Sequence, residues 1–413
     1  MRTSLLTRLA GVATALGLTS AALVGTAAAP AQAAVSDCPS GYFCAWKSDN
    51  ATGTMYKTNV NTATLGTWDN TFRSVVNRTS KVACLYDAAN YSDAEANGAM
   101  VIPSSPSGSE WGGPGSTSVS SVKFTVTERE CVLPAYPDWY SAVAPKKAGF
   151  SDLNNDGQSD VVVRDTAGRL WFLPGNGTGK QVGTGWNGMD RLSRHGDFTN
   201  DTREDVVARE KSTGKLWLYP GTGAGGFTTR ILIGSGGWNG MDKITAYGNI
   251  TGDSRSDLLA VEKSTGKLWL YPGTSTSTAT AALGARKLLG SGGWNAMNAL
   301  VAPGDMNGDA RADLIAREAS TGKLWFYPAT STGALGTRVL IGTSGWNGLA
   351  TILPVADINA DGRNDLVAIS ASTFSKPECQ GVGCLVHYTG KGTGGLNPGS
   401  PEDGNWWGLN GAF

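Results

Sequence analysis

Five stretches of this chain place side-chain oxygens at the first, third, fifth and ninth positions of a short span and contain no histidine or cysteine. They are DLNNDGQSD from Asp152, DFTNDTRED from Asp197, NITGDSRSD from Asn249, DMNGDARAD from Asp305 and DINADGRND from Asp357. An all-oxygen donor set suits a hard cation, whereas softer metals draw histidine or cysteine. With the backbone carbonyl of position seven added, the candidate ligands are Asp152, Asn154, Asp156, Gln158 and Asp160 in the first loop and Asp197, Thr199, Asp201, Arg203 and Asp205 in the second. The third offers Asn249, Thr251, Asp253, Arg255 and Asp257, the fourth Asp305, Asn307, Asp309, Arg311 and Asp313, and the fifth Asp357, Asn359, Asp361, Arg363 and Asp365. An arginine at position seven serves only through its carbonyl, with the guanidinium turned to solvent.

Carboxylates this close repel one another without a cation. The competing reading is a metal-free turn in which Asp and Asn bond their own backbone. The sequence favours structural calcium, up to five ions, with the Asn249 loop the weakest site. An EF-hand is excluded, because position twelve, which needs a bidentate glutamate, is Val163, Ala208, Ala260, Ala316 or Ala368.

The elements around the loops repeat with them. An apolar run follows each loop (VVVR, VVAR, LLAV, LIAR, LVAI), and the first four continue into GRLWFLPG, GKLWLYPG, GKLWLYPG and GKLWFYPA. Trp186, Trp238, Trp294 and Trp346 each stand 11 residues before one of the last four loops. A period of about 50 residues signals propeller blades or solenoid units. In KLWLY, alternation sends Leu216 and Leu218 to one face and Trp217 and Tyr219 to the other, so both faces are apolar, as in sheets packed between sheets. The chain reads as all-β, with a propeller of five blades. Trp406 and Trp407 recur where a sixth unit would begin, which predicts that the C-terminal strand closes the ring against the first blade.

Residues 1–33 carry Arg2 and Arg8, an apolar run and Ala31-Gln32-Ala33, the pattern of an export signal. Its removal takes two of the 34 basic side chains and none of the 34 acids, and the resulting balance does not favour nucleic acid or anionic lipid. No later stretch has the length of a spanning helix. A secreted monomer without membrane insertion is expected. Cys38, Cys44, Cys84, Cys131, Cys379 and Cys384 then read as disulfides. Proximity suggests Cys38 with Cys44, Cys379 with Cys384 and Cys84 with Cys131, one pairing among many. Composition changes near residue 135, which predicts a module over 34–135, a proline-containing linker over 136–148 and the propeller over 149–413.

The loops with their following strands resemble the FG-GAP or VCBS repeats of integrin-type propellers. That resemblance implies calcium in the loops and a ring of seven blades, against the five copies present. In the first module, Trp46 followed by Gly53 fits a folded hairpin, and YDAANYSD from Tyr86 repeats the spacing with Asp93 in place of glycine. With its cysteines, this module resembles small secreted bacterial metalloproteinase inhibitors of βγ-crystallin-like fold. The resemblance implies thermolysin-like targets and points to Cys84-Leu85 as the reactive bond. The alternative makes both residues part of a buried strand.

Nothing assembles an enzyme. His195 and His387 are the only histidines, no H-E-x-x-H or G-x-S-x-G occurs, and the GDSR at Gly252 lies inside the third loop. His195 reads as a surface or loop residue. The expected function is a secreted peptidase-inhibitor-like protein, not an enzyme, that meets an extracellular protease or other protein while the propeller docks or recognises. The alternative is a lectin-like or adhesive protein without inhibitory activity, in which the four repeated tryptophans stack on glycan.

Overall fold

The structure is a computed structural model that describes residues 35–92, 99–106, 110–112, 118–144, 150–253, 255–274, 283–379, 383–402, 404 and 406–413. The expected export signal, Asp93 and residues 145–149 lie outside them. The chain forms two compact units, one from the described residues of Met1–Ala96 and Ile102–Lys123, the other from those of Asn97–Val101 and Phe124–Phe413. Regular structure is all β apart from short 3-10 turns.

In the first unit, Phe43–Ser48 pairs with Thr52–Thr58 on one side and Ser74–Asn77 on the other, and Glu110–Gly112 completes a four-stranded sheet. The register slips between Trp46 and Ser48, so the hairpin folds over. Gly53 turns it at φ +82°, a conformation open to glycine and costly for L side chains. Trp46 is fully buried with Cys38, Cys44 and Val76. Val82–Tyr86 is the middle strand of a second sheet, between Met100–Ile102 and Ser121–Thr125.

The second unit is a propeller with five four-stranded antiparallel blades. Blades 2 to 5 begin with inner strands Met189–Ser193, Met241–Gly248, Met297–Gly304 and Leu349–Val355 and run outward in chain order. Blade 1 takes its inner strand from the other end of the chain: Leu409–Ala412 pairs with Val161–Asp165. A buried apolar cluster lies between each pair of neighbouring blades, the one joining blades 5 and 1 combining Val367, Ile369 and Leu385 with Val161, Val163 and Ala412. The tryptophan of each GWN turn packs at a tilt against a tyrosine of the third strand of the blade that the turn opens. The ring separations are 4.6 Å for Trp186–Tyr219, 4.7 Å for Trp238–Tyr271, 5.0 Å for Trp294–Tyr327 and 4.6 Å for Trp346–Tyr388. A Cβ at Gly183, Gly234, Gly290 or Gly342 would sit 2.0–2.2 Å from the indole nitrogen, so the ring packs directly on bare backbone.

The segment expected as a linker is instead part of this unit as far as it is described. Trp139 is 1% exposed, its indole N–H donates to the Ser159 carbonyl at 2.6 Å, and it joins the cluster between blades 5 and 1. The prolines around it suggested a free connector. The buried indole ties the segment down.

At three equivalent places a buried arginine fastens one blade to the next. Arg164 donates to the carbonyls of Trp186 and Met189, Arg209 to those of Trp238 and Met241, and Arg317 to those of Trp346 and Leu349. Each sits at the end of one blade's second strand and holds the turn that opens the next blade. Val261 and Ile369 occupy the equivalent places in blades 3 and 5, where the contact is apolar.

Candidate functional site

In blades 2 to 5 the oxygen-rich loops join the first and second strands, and in blade 1 the loop leads into the second strand, Val161–Asp165. Where described, the fourth and sixth loop positions have positive φ: Asn155 and Gly157, Asn200 and Thr202, Gly308 and Ala310, Ala360 and Gly362. This conformation is uncommon outside glycine and strained for a β-branched residue such as Thr202. It coils the loop tightly around its first side chain. Asp152 accepts the N–H groups of Asp156 and Gly157, Asp197 those of Asp201 and Thr202, Asp305 those of Asn307, Gly308, Asp309 and Ala310, and Asp357 those of Asp361 and Gly362. In the third loop Asn249 accepts from Gly252 and Asp253 through its single amide oxygen.

The ninth-position aspartates are fully buried and serve a different purpose. Asp313 Oδ2 accepts from Met306 N–H and Oδ1 from Ala329 N–H, both at 2.9 Å, which ties the loop to the end of the third strand. Asp205 does the same with Phe198 and Gly221, Asp257 with Ile250 and Gly273, and Asp365 with Ile358 and Gly390. Burial is the first cause that raises their carboxyls, and the other loop carboxylates push the same way. Asp160 is pushed up to about 8, Asp205 to about 7, and Asp313 and Asp365 to about 6.

Two features of each loop bear on a cation. The oxygens of positions one and three converge: Asp156 N–H lies 3.1 Å from Asp152 Oδ1 and 3.2 Å from Asn154 Oδ1, and the fourth and fifth loops repeat this. Such hard oxygens suit calcium. The position-seven arginines, however, are not simply turned away. Arg203, Arg255, Arg311 and Arg363 bring Nη1 to 3.6, 3.7, 3.2 and 4.0 Å of the fifth-position aspartate of the same loop. Each guanidinium thus partly offsets the charge a cation would neutralise. Gln158 in the first loop instead donates to the carbonyls of Ser141 and Gly175. Among the described residues no group of three or more His, Cys, Asp or Glu side chains is disposed to hold a metal, so amide and carbonyl oxygens would have to complete any site.

In the first unit, Cys84 is 0% and Leu85 2% exposed, in the middle strand of a sheet. This corrects the placement expected from resemblance: the bond is covered on both edges by neighbouring strands and is not presented to a protease. The most exposed apolar side chain among the described residues of this module lies elsewhere. Val60 is 65% exposed at the tip of the turn Asn59–Asn61. Its backbone is braced on both flanks: Val60 N–H donates to Thr58 Oγ1 at 3.3 Å, and the Thr58 and Thr62 hydroxyls donate to the Val60 carbonyl at 3.0 and 3.2 Å. Thr62 is bridged in turn to Val122 by two backbone hydrogen bonds of 2.8 and 3.0 Å. Sequence reading passed over Val60 because one valine between asparagines carries no periodicity. Cys38 is bonded to Cys44 and Cys379 to Cys384; Cys84 and Cys131 are also in disulfides.

His195, read as a surface residue, is buried at φ +77°, with Nδ1 3.2 Å from Glu204 Oε1. Burial is the main cause that lowers its pKa, holding it neutral. Arg194 pairs with the same glutamate through two contacts of 2.9 Å, so the cluster is an internal brace just after the inner strand Met189–Ser193. The repeated tryptophans Trp186, Trp238, Trp294 and Trp346 are 6–8% exposed, which removes their faces as glycan platforms.

Comparison with known proteins agrees with this division. Residues 31–97 match peptidase inhibitor family I36, and residues 249–316 and 305–368 match the FG-GAP-like repeat. No curated protein matches the chain. Among solved structures, an Agrocybe aegerita lectin studied for recognition of non-reducing terminal N-acetylglucosamine is 12% identical, with 88% of this chain and 90% of that one covered at a TM-score of 0.38. A Photorhabdus luminescens Tc holotoxin chain is 17% identical over 68% of this chain and 12% of that one, at 0.34. A Bacillus licheniformis rhamnogalacturonan lyase is 12% identical over 80% and 67%, at 0.27. The chain therefore joins a peptidase-inhibitor-like module to a propeller of FG-GAP-like repeats.

Proposed function

We propose that this protein is a secreted inhibitor of extracellular metalloproteases, that its inhibitory contact is the braced turn Asn59–Asn61, and that its calcium-stapled propeller acts as a docking body. The observation that carries the reading is Val60. At 65% it is the most exposed large apolar side chain among the described residues of the module over 34–135, where Met100, Val126 and Val132 are 40–53% exposed, and its backbone is held by hydroxyl groups. A preordered turn loses little entropy when a protease closes on it. An apolar tip suits an apolar specificity pocket of the thermolysin type. The family match at residues 31–97 supports the class of partner, and the turn lies inside that match.

Calcium in the propeller loops is the second part. It would neutralise the carboxylates of positions one and five, with the position-three oxygen and the position-seven carbonyl completing the site, which the converging oxygens of positions one and three favour. Secretion rests on the leader pattern and on the disulfides; among the described residues no helix is long and apolar enough to cross a membrane.

The reading is tested by titrating a thermolysin-type metalloprotease with the full secreted chain and with Val60→Asp. Wild type should reduce activity and Val60→Asp should do so at least about tenfold less well, because an apolar pocket would have to accept an unpaired charge. No inhibition by the wild type against a panel of metalloproteases would reject it.

A further inference from the structure

The fifth blade breaks the repeat in one place. In blades 2 to 4 the second and third strands are joined by a tight turn such as Lys211–Lys215, and the third strand carries a tryptophan capped by an arginine. Arg230 lies 4.0 Å over Trp217, Arg286 over Trp269 and Arg338 over Trp325. In blade 5 the connection from Asp365–Ser370 to Leu385–Tyr388 is longer and bridged by Cys379–Cys384, and the third strand reads LVHY, with Val386 where the others have tryptophan. The charged cap is absent from this blade.

The longer connection builds a cleft of ≈ 480 Å³ against the turn Ser344–Gly348. Phe374 forms one wall. Its ring edge would be 3.4 Å from a Cβ at Gly348, whereas Gly188 and Gly240, at the same point of blades 2 and 3, have nothing within 4 Å. Tyr388 forms the floor, half-buried and braced from beneath by the buried Trp346. The rim is polar, with Ser344, Asn347, Thr373 and Ser375 lining it, and among the described residues no charged side chain lines the cleft. Asn347 is fixed by its amide N–H, which donates to the Ala319 carbonyl at 2.9 Å.

We propose that this cleft binds a neutral carbohydrate. A pyranose ring has an apolar C–H face that packs on aromatic rings and a hydroxyl edge that exchanges hydrogen bonds with Ser, Thr and Asn side chains. The cleft supplies both surfaces and has the size of a small-molecule site. Acidic or basic ligands find no counter-charge there, and a purely apolar ligand would strand the rim hydroxyls. Phe374, half-buried on a turn, packs against the apolar cluster between blades 4 and 5 and also lines the cleft. The proposal stands apart from the inhibitory reading, because its test contains no protease.

The full secreted chain should be retained on at least one of four immobilised neutral polysaccharides, namely cellulose, chitin, starch and xylan, and not on heparin. Phe374→Ala should weaken that retention about tenfold or more. Ser375→Asp, on a turn outside the blade cores where folding is not at stake, should do the same by placing a charge on the rim. Arg338→Ala, on the stack of blade 4, should bind as wild type does. Retention on heparin alone, on none of the four, or equally by wild type, Phe374→Ala and Ser375→Asp would overturn the proposal.

Discussion

Val162 and Phe413 exchange backbone hydrogen bonds: Val162 N–H donates to the Phe413 carbonyl at 3.1 Å, and Phe413 N–H donates to that of Val162 at 2.8 Å. The last residue of the chain is thereby held beside the first strand of the propeller, so the ring is closed by pairing its two ends. Removing Leu409–Phe413 should leave Val161–Asp165 as a bare edge and uncover Val161 and Val163. The expected loss is about 3 kcal/mol or more, seen as a lowered and broadened thermal transition by circular dichroism. An unchanged transition would show that the other blades hold the ring without this latch.

Arg209 is 2% exposed, pairs with Asp190 at 2.8 and 2.7 Å, and donates to the Trp238 and Met241 carbonyls. Arg209→Met should cost about 3 kcal/mol, because buried carbonyls lose their donor and Asp190 its partner. The hydrogen bond from Arg209 is the main cause that lowers the Asp190 carboxyl. A depressed carboxyl stabilises the fold above its unfolded value, about 3.9, and that contribution fades as pH falls through the folded value. Asp190→Asn should therefore be less stable than wild type at neutral pH, with the gap narrowing below about pH 4.

Calcium should raise the melting temperature of the full chain and chelator should lower it, with about 2.7 kcal/mol of stabilisation at a hundredfold excess over the dissociation constant. Asp309→Ala should remove one ion by elemental analysis. The Asn249 loop, with an amide at its first position, should lose its ion first as calcium is lowered. A chain that holds no calcium at millimolar supply would make the loops self-bonded turns in which the position-seven arginines supply the positive charge.

Leu85→Asp should unfold the first unit, since it places a carboxylate in a position only 2% exposed in the centre of a sheet. The cost is several kcal/mol, on the order of 3 or more. A folded Leu85→Asp protein with selectively weakened inhibition would return the reactive bond to Cys84-Leu85.

The propeller was legible because its signals are local and repeat. Alternation in KLWLY, the fixed offset from tryptophan to loop and the recurrence of tryptophan at Trp406 give blade number and ring closure without any long-range information. Features that depend on what lies across the fold were not legible. Nothing near Arg209 in sequence says that it bolts one blade to the next, and nothing near Phe374 says that it walls a cleft against Gly348. The stretch around Cys84 and the turn at Val60 differ in the same way. A strand of alternating small and apolar residues looks alike whether it is an edge or a centre, and only the pairing on both sides of Val82–Tyr86 buries it.

The most direct test of the inhibitory account is to mix the full secreted chain with a thermolysin-type metalloprotease, measure the residual activity, and identify by mass spectrometry the first bond cut in the inhibitor-like module. The account requires inhibition, with any initial cleavage at Asn59-Val60 while the rest of the unit stays folded. Absence of inhibition, or inhibition accompanied by first cleavage at Cys84-Leu85, would contradict it.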